Sequence, residues 1–454
     1  MSKGYIKGVC LLLGLLFSFI FAADKVRASD KPVVMGFELQ RHNGFLSEPG
    51  NYPIESLRRF GRAINKDWPV SNSVFKAASV FDASALGSPN FLKPVPFSLL
   101  SEQQRKFTDD LLSRHTNDLN KIINECFPAS ESIVIKIVCD SQGLKNVLGK
   151  IIQQPDAASK LKPQQIYRME NQLMPILEAS DFLIGAGVFS QNGFHAKFNI
   201  VSKAGNLGNT KNEHNISIGN FINDNALMIF AQTHPIENAA DAMKEIAAIP
   251  QSATIIQMVA SAGLDFEKDI LANTARESVL YVNLEPTGEG GLPDIRFAAP
   301  VPEIDKLRNN LDKLKTLCMQ TGIFAQTTDD GKLPFVRLSY FMFPQVAVFA
   351  GLTDNFLVIA TGKDNLLREM AHIQGVKSKE EKTPIHDLKR FWQIKFADFN
   401  LQLQKLLQSP LLRDKGIPPI SNLKFLEDFT RLEITSKASQ YLIEFNVNLP
   451  ITKQ

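Results

Sequence analysis

The stretch NFLVIATGKDNLLREMAHI at residues 355–373 joins an apolar run to an amphipathic segment through a short polar turn. The run from Phe356 to Ala360 has the composition of a strand, and the apolar residues after the turn recur at helical spacing. The stretch IVIKIVCDSQGLKNVLGKI at residues 133–151 has the same order in the first half of the chain. Both stretches predict a strand, a turn and a helix, and together they indicate a duplicated unit.

Two more pairs of segments support an internal repeat. Residues 31–42 resemble residues 224–235, and residues 194–200 (FHAKFNI) resemble residues 441–447 (YLIEFNV). The three blocks keep the same order in both halves of the chain. Convergent patterning of strands, turns and helices is the alternative explanation.

The repeat predicts the domain organisation. We expect a first unit at residues 29–205, a linker rich in Gly, Asn, Lys and Ser at 206–221, and a second unit at 222–454. Glu102–Cys126 and Glu303–Met319 each have the pattern of one amphipathic helix. The predicted fold class is α+β, with two related units that each contain a curved, mainly antiparallel sheet packed by helices.

Residues 1–28 have the pattern of a secretory signal peptide. Two lysines precede the apolar run Val9–Phe21, and cleavage after Ala22 or after Ala28 is plausible. An uncleaved anchor is the alternative, but the run is shorter than the roughly 18–20 apolar residues that a membrane span needs. We therefore predict an exported protein, periplasmic or extracellular, with no membrane-spanning segment after cleavage.

The composition restricts the class of partner. The chain is 44% hydrophobic with a formal charge of +3, which is neither a disordered composition nor the basic composition of a nucleic-acid binder. Phenylalanine is frequent, with 32 residues against 6 tyrosines and 2 tryptophans. Phenylalanine has no polar group and favours burial, so this excess indicates large cores or an apolar ligand cavity.

The predicted mature chain contains Cys126, Cys139 and Cys318. An odd number of cysteines excludes a fully paired set, and three dispersed cysteines do not form a zinc site. Buried free thiols are the favoured interpretation. A Cys126–Cys139 disulfide is the alternative that export would permit.

The sequence contains no recognised catalytic motif. It lacks a His-Glu-x-x-His pair, a Gly-x-Ser-x-Gly elbow and a phosphate loop, and no two histidines lie three or four residues apart. The acidic stretch Gly263–Ile270 has the pattern of a helix end followed by a turn capped by Asp265, so its carboxylates are interpreted as caps. No cofactor and no metal are expected.

One strand is the candidate ligand site. In Tyr441–Leu449, Tyr441, Ile443, Phe445 and Val447 alternate with Glu444, Asn446 and Asn448, so the strand has one apolar and one polar face. An apolar sheet face must be covered by helices or by a ligand. The four apolar residues are therefore the predicted apolar ligand face.

The second half resembles an exported bacterial family known as domain of unknown function 3352. The resemblance covers about residues 220–450 and rests on an opening strand, the GLDFEKDI motif, a second strand, a helix, and a closing strand and helix. These segments are Ala226–Gln232, 263–270, Ser278–Leu284, Glu303–Met319 and Phe356–Ile373. The resemblance implies an exported domain without known catalytic residues.

Three functions follow as hypotheses. The first is a non-enzymatic protein of the cell envelope that binds another protein or assists assembly. The second is a carrier of a lipid or other apolar ligand. The third is an enzyme whose site is dispersed in sequence, because single residues far apart can meet in a fold.

Overall fold

The computed structural model describes most of the chain. The described residues are 32–41, 74–81, 92–126, 133–153, 166, 170, 174–190, 193–202, 226–233, 252–271, 277–329, 334–376, 388–409, 429–438 and 442–450. The predicted signal peptide (1–28), the predicted linker (206–221) and Tyr441 lie outside the described residues.

The described elements alternate between groups of strands and groups of helices. The strands are β1 (Val33–Arg41), β2 (Val74–Phe81), β3 (Leu92–Pro96), β4 (Ile133–Asp140), β5 (Phe182–Ser190), β6 (Gly193–Val201), β7 (Met228–Thr233), β8 (Glu277–Asn283), β9 (Asp294–Pro300), β10 (Ile323–Asp329), β11 (Pro334–Tyr340), β12 (Phe343–Leu352), β13 (Phe356–Ala360), β14 (Arg390–Lys395), β15 (Arg431–Ala438) and β16 (Leu442–Pro450). The α-helices are α1 (Glu102–Arg114), α2 (Thr116–Cys126), α3 (Ser141–Ile152), α4 (Met174–Ala179), α5 (Ser252–Ser261), α6 (Ile304–Asn309), α7 (Leu311–Gln320), α8 (Lys363–Val376) and α9 (Phe399–Leu407).

The chain divides into two compact units. Among the described residues, unit 1 contains those up to 202 together with 429–430, 436–438 and 442–450. Unit 2 contains those from 226 to 409 together with 431–435. The sequence predicts a second unit that runs to residue 454, whereas the structure assigns β16 to unit 1.

Unit 1 is an antiparallel sheet packed by helices. Its strand order is β16-β6-β5-β4-β1-β2-β3, and each neighbouring pair is antiparallel. Helix α1 packs on β1 and β4, and α2 packs on β5 and β6. The helices and the sheet share a core that includes Leu112, Leu119, Val138 and Ile184.

Unit 2 has the same general architecture. Its strand order is β14-β7-β8-β9-β13-β12-β11-β10, again antiparallel throughout. Helix α8 packs on β9, β12 and β13. A Cβ atom at Gly351 of β12 would lie 2.5 Å from the Met370 sulfur of α8, so glycine permits this close approach. The two units confirm the predicted α+β class with antiparallel sheets packed by helices.

The predicted single helix Glu102–Cys126 is two helices. The backbone leaves helical geometry at His115, with φ −108° and ψ 14°. The Thr116 hydroxyl donates to the Leu112 carbonyl (3.2 Å), a local side-chain bond that competes with helix continuation. A straight helix of this length would extend about 37 Å, whereas the break allows α1 and α2 to pack on different strands.

The predicted helix Glu303–Met319 is also interrupted, at Asn310 (φ −92°, ψ 0°). Asparagine is a weak helix former because its side chain competes for backbone hydrogen bonds. The break separates α6 and α7. The Arg308 guanidinium of α6 donates to the Thr353 carbonyl (3.1 Å), and α7 packs on β10.

The turn between β11 and β12 differs from the sequence prediction. The residue pattern predicts strands at Phe335–Phe343 and Gln345–Ala350, with a turn at Pro344 between them. The chain instead turns at Phe341 and Met342, and Pro344 is the second residue of β12. The pairing of β12 with β13 begins only at Phe349. The missing N–H of Pro344 therefore interrupts no hydrogen bond to β13.

The blocks of the predicted repeat occupy only partly similar positions. In both units a central strand runs into a helix, β4 into α3 and β13 into α8. However, β1 pairs directly with β4, whereas β8 and β9 lie between β7 and β13. The duplication therefore stays a prediction.

In the described part of the chain, no helix combines the length and the apolar character that membrane crossing requires.

The Cys139 thiol is free and buried, so the alternative Cys126–Cys139 disulfide is not formed. Burial, reinforced by the neighbouring Asp140 carboxylate, raises the pKa of the Cys139 thiol far above its ordinary value.

Candidate functional site

The predicted ligand strand is β16, which pairs with β6 along its whole length. The register sets Ile443 opposite Ile200, Phe445 opposite Phe198, and Val447 opposite Ala196. Val447 is buried, with 2% of its surface exposed. The apolar face of the strand therefore continues across β6, and at Val447 it is closed to solvent.

Glycines of β5 make room for aromatic rings on this face of unit 1. A Cβ atom at Gly185 would overlap the Phe198 ring and lie 2.7 Å from its Cε1 atom. A Cβ atom at Gly187 would lie 2.7 Å from Cε2 of Phe194. The two rings lie over the glycine backbone, an arrangement that side chains on β5 would prevent.

The polar face of β16 joins a row of charges across unit 1. Cross-strand pairing aligns Lys76, Glu38, Lys136, Ala186 and Lys197. Lys136 and Glu38 form an ion pair with an N–O distance of 3.0 Å. Each of the three lysines of the row pairs with a carboxylate, because Lys76 contacts Asp109 at 2.7 Å and Lys197 contacts Glu444 at 2.6 Å.

The Glu444 carboxyl shows how burial and hydrogen bonding oppose each other in this row. Burial favours its neutral form, but hydrogen bonds from Lys197 and Asn446 outweigh burial and lower its pKa. A carboxylate that is held ionised by its neighbours is a structural ion-pair member. We assign the row to stabilisation of the sheet.

In unit 2 the strands are apolar on both faces. One face packs against α8 and includes Ile229, Tyr281, Ala298, Val358 and Phe349. Cross-strand pairing places a second set of apolar residues on the opposite face, here called the far face. The far face consists of the central row Trp392, Phe230, Leu280, Phe297, Ile359, Ala350 and Val336, and of Ile394, Met228, Val282, Ile295, Leu338 and Val348 beside it.

Each far-face side chain keeps part of its surface exposed, whereas the residues between them are buried except for Arg337. Strand β13 shows the difference, because Phe356, Val358 and Ala360 are buried while Leu357 and Ile359 are partly exposed. Neighbouring strands shield one another, so partial exposure is expected for a side chain in the middle of a sheet even without a covering layer. The far face is a partly exposed apolar surface that continues across the described strands of unit 2 from β14 to β11.

A signal for the far face was present in the sequence. Strand β13 (FLVIA) is a continuous apolar run and not an alternating one, and such runs are typical of strands that bury both faces. The predicted ligand face at Tyr441, Ile443, Phe445 and Val447 rests on alternation of apolar and polar residues. Alternation indicates a sheet with one polar face, whereas a continuous run indicates a second apolar face.

The α8 side of unit 2 contains a buried charge cluster that sequence reasoning missed. The Arg296 guanidinium contacts the Glu369 carboxylate at 2.9 Å and the Asp294 carboxylate at 3.3 Å. It also lies over the Tyr281 ring, with its central carbon 5.4 Å from the ring centroid. Asn283 donates to the other Asp294 oxygen at 2.9 Å.

This cluster is closed to solvent, since the Glu369 side chain is 1% exposed and that of Arg296 9%. Burial is the largest influence on the Glu369 carboxyl and raises its pKa, although Arg296 and His372 oppose the rise. The cluster therefore holds the helix on the sheet and offers a substrate no access. Its sequence signal was a glutamate on the apolar stripe of α8, between Leu366 and Ile373.

The described histidines do not form a site. His195 lies on β6, where burial lowers its pKa. His115 packs against the Phe182 ring at the end of α1, with ring centroids 4.1 Å apart. Within the described ranges, no group of three His, Cys, Asp or Glu side chains is arranged to hold a metal ion. His42 and His234, which the sequence places after the opening strands, lie outside the described residues.

The GLDFEKDI stretch is a capped turn. Helix α5 ends near Gly263, whose φ of +75° suits glycine. The Asp265 carboxylate accepts from the Lys268 N–H (2.9 Å), and the Asp269 carboxylate accepts from the Asp265 N–H (2.8 Å). The Asp265 N–H is the main cause of the lowered pKa of Asp269, and Lys306 adds to it. These carboxylates are caps, as the sequence predicts.

Removal of the cap should have a small, measurable cost. We expect Asp265→Ala to lower the free energy of unfolding by about 1 kcal/mol, because the Lys268 N–H loses its acceptor. Glu267→Ala, at an exposed carboxylate of the same turn, should change it by less than about 0.5 kcal/mol. Urea denaturation measures both. Equal effects of the two substitutions would contradict the capping role.

Comparisons with known proteins give little further information. No family model matches the chain, and no curated protein matches it. The chain is similar to TP0453 in crystal form IV with a TM-score of 0.26 and 10% identity, covering 48% of this chain and 74% of that one. For crystal form III the TM-score is 0.25 with 8% identity, covering 52% and 80%. These scores are too low to support an inference about function, and the resemblance to domain of unknown function 3352 stays a prediction.

Proposed function

We propose that this chain is an exported, non-enzymatic protein that binds an apolar ligand, of the class of lipid acyl chains, on the far face of unit 2. The observation that carries the proposal is the apolar character of both faces of this sheet. One face is buried under α8, and the other keeps part of each side chain exposed. Export rests on the predicted signal peptide.

The physical argument concerns the cost of exposed apolar surface. Soluble proteins rarely keep a contiguous apolar patch larger than a few hundred Å² unless it binds something. Burial of such surface is favourable by about 25 cal/mol per Å². A ligand that covers the far face would therefore gain most of its affinity from apolar contact.

The chemistry of the face indicates the ligand class. The central row from Phe230 to Val336 contains only hydrocarbon side chains. At the β14 end of the far face, Arg390 is buried and its guanidinium carbon lies 4.5 Å from the centroid of the Trp392 ring. The row from Phe230 to Val336 provides no groups that would select a polar or charged ligand. It fits saturated or unsaturated hydrocarbon chains and does not distinguish their head groups.

A protein-binding or assembly factor of the cell envelope is the second candidate. The width of the far face favours it: the seven strands from β14 to β11, at a spacing of about 4.8 Å, span roughly 29 Å. This is wider than one acyl chain and is comparable to a protein interface. A partner would then bury the face that the first candidate assigns to lipid.

The test is binding of a dansyl-labelled undecanoic acid to the purified protein, followed by fluorescence. We expect saturable binding by the wild type. Phe297→Ser combined with Ile359→Ser, in the centre of the far face, should weaken it about tenfold, because two large apolar contacts are lost. Leu99→Ser is the matched control, since Leu99 is an exposed residue of unit 1 (56%) and is not part of the far face.

Mass spectrometry after organic extraction complements the titration. A stoichiometric lipid in the protein purified from its native host would support the carrier. Absence of both extractable lipid and probe binding would overturn it. A co-purifying protein that protects far-face amides from hydrogen exchange would favour the second candidate instead.

A further inference from the structure

The turn between β11 and β12 exposes an unusual set of apolar side chains. Tyr340, Phe341 and Met342 are 49%, 76% and 65% exposed, and nearby Met319 and Phe324 are 56% and 59% exposed. These five residues are here called the hairpin tip. They are five of the seven large hydrophobic residues that the described ranges leave exposed, so exposed apolar side chains are concentrated at this turn.

Backbone contacts hold the two segments of the tip together. The Phe341 N–H donates to the Gly322 carbonyl at 3.0 Å, between α7 and β10. Tyr340 pairs with Ile323, and Ser339 pairs with Phe324. Gly322 has a φ of +77°, which allows the chain to reverse from α7 into β10 beside the turn.

The two chain segments that form the tip contain no charged residues. No charged residue occurs between Lys315 and Asp329, or between Arg337 and Asp354. The two flanking cations are paired with carboxylates, since Lys315 pairs with Asp312 and Arg337 pairs with Glu289. The tip therefore presents aromatic rings and thioethers without ionic groups that would oppose entry into an apolar phase.

We propose that the hairpin tip inserts into the interfacial region of a lipid bilayer. Phe341 and Met342 project from a turn and not from a groove, which suits penetration into a fluid phase better than docking on a shaped protein surface. Tyrosine prefers the boundary between head groups and acyl chains, where its ring is apolar and its hydroxyl is hydrated. The five side chains of the tip provide no cation that would bind anionic head groups.

The tip is continuous with the far face, and this part of the inference rests on the proposed function. Tyr340 lies on the same face of β11 as Leu338 and Val336, because residues two apart in a strand share a face. An acyl chain leaving the bilayer at Tyr340 would reach the far face without crossing a polar region. The tip would thus place the ligand surface at the membrane.

Flotation with phosphatidylcholine vesicles tests the proposal on the mature chain. We expect the wild type to float with these uncharged vesicles and to remain bound in high salt, because the tip carries no charge. Phe341→Ser combined with Met342→Ser should lower the membrane partition constant about tenfold and so reduce the bound fraction. Leu99→Ser combined with Leu401→Ser, at the other two exposed hydrophobic positions, should leave it unchanged.

The outcomes separate this proposal from the proposed function. The tip variant should still bind the dansyl-labelled acid, and the Phe297→Ser, Ile359→Ser variant should still float.

Flotation that needs phosphatidylglycerol, that disappears in salt, or that is equal in the tip and control variants would overturn the inference. Loss of acyl-probe binding in all proteins, with tip-dependent flotation intact, would overturn the carrier alone. Tip-dependent dimerisation without flotation would identify a second copy of the chain as the partner and would also overturn the inference.

Discussion

Arg296→Met should lower the free energy of unfolding of unit 2 by about 3–5 kcal/mol, because removal of one partner leaves buried charges uncompensated. The substitution removes the contacts to Glu369 (2.9 Å) and Asp294 (3.3 Å). Methionine retains much of the side-chain volume, so the loss of unfolding free energy comes from the removed charge and not from a cavity. Urea denaturation in a Trp68→Phe background measures it, since the remaining Trp392 lies in β14 of unit 2.

The matched control replaces both partners. Arg296→Met combined with Glu369→Leu should recover at least half of the loss, because the buried Glu369 charge is then removed and only the Asp294 carboxylate lacks its cation. Asp294 keeps its hydrogen bond from Asn283 in both variants. A double variant as unstable as the single one would show that shape, and not charge, determines the cost.

The effect should depend on pH. Burial raises the pKa of Glu369, and Arg296 and His372 oppose the rise, so loss of Arg296 raises the pKa further. A carboxyl whose folded pKa exceeds its unfolded pKa stabilises the fold when protonated, and this stability is lost as pH rises through the folded pKa. The cost of Arg296→Met should therefore be greatest at neutral pH and should shrink as pH falls towards 4.5, the ordinary glutamate value.

Gly185→Ala should destabilise unit 1 by about 1–3 kcal/mol, because the added methyl group has no free space. Its Cβ atom would overlap the base of the Phe198 ring, with 2.7 Å to Cε1 and 3.2 Å to Cγ. Atoms near the base of a ring move less on side-chain rotation than the far end of a flexible side chain does, so the overlap is costly to relieve. Urea denaturation followed by circular dichroism measures the loss.

Two controls make this second prediction specific. Gly149→Ala in α3 should raise stability by about 0.5–1 kcal/mol, since the nearest atom, Met174 Cε, would be 3.8 Å away and alanine favours helix. In a Phe198→Leu background, Gly185→Ala should cost less than half of its wild-type value. An unchanged cost in that background would mean that Phe198 does not limit the space at Gly185.

The fold class and many elements were predictable because they depend on local patterns. The apolar run and helical spacing at residues 355–373 correspond to β13 and α8, separated by a turn. The cap at Asp265 was predictable for the same reason, since its hydrogen bonds join residues three and four positions apart. The helix breaks at His115 and Asn310 were missed, because the apolar residues keep helical spacing across both positions.

The candidate site was less predictable than the fold. Alternation in residues 441–449 correctly identifies a strand, but it does not reveal that β16 pairs with β6 in unit 1. Arg296 and Glu369 are 73 positions apart, and neither position carries a motif. The hairpin tip was not predictable, because the residue pattern predicts the turn at Pro344 whereas the chain turns at Phe341 and Met342.

The sequence by itself determined the α+β class, the apolar strand before each central helix, the capping carboxylates and the lack of a recognised catalytic motif. Only the tertiary structure decided the pairing of β16, the burial of Arg296 with Glu369, and which apolar strand face α8 covers. The physical reason is the range of the interactions. Periodicity and capping are settled within one or two turns of chain, whereas strand partners and covered faces are settled by contacts between residues distant in sequence.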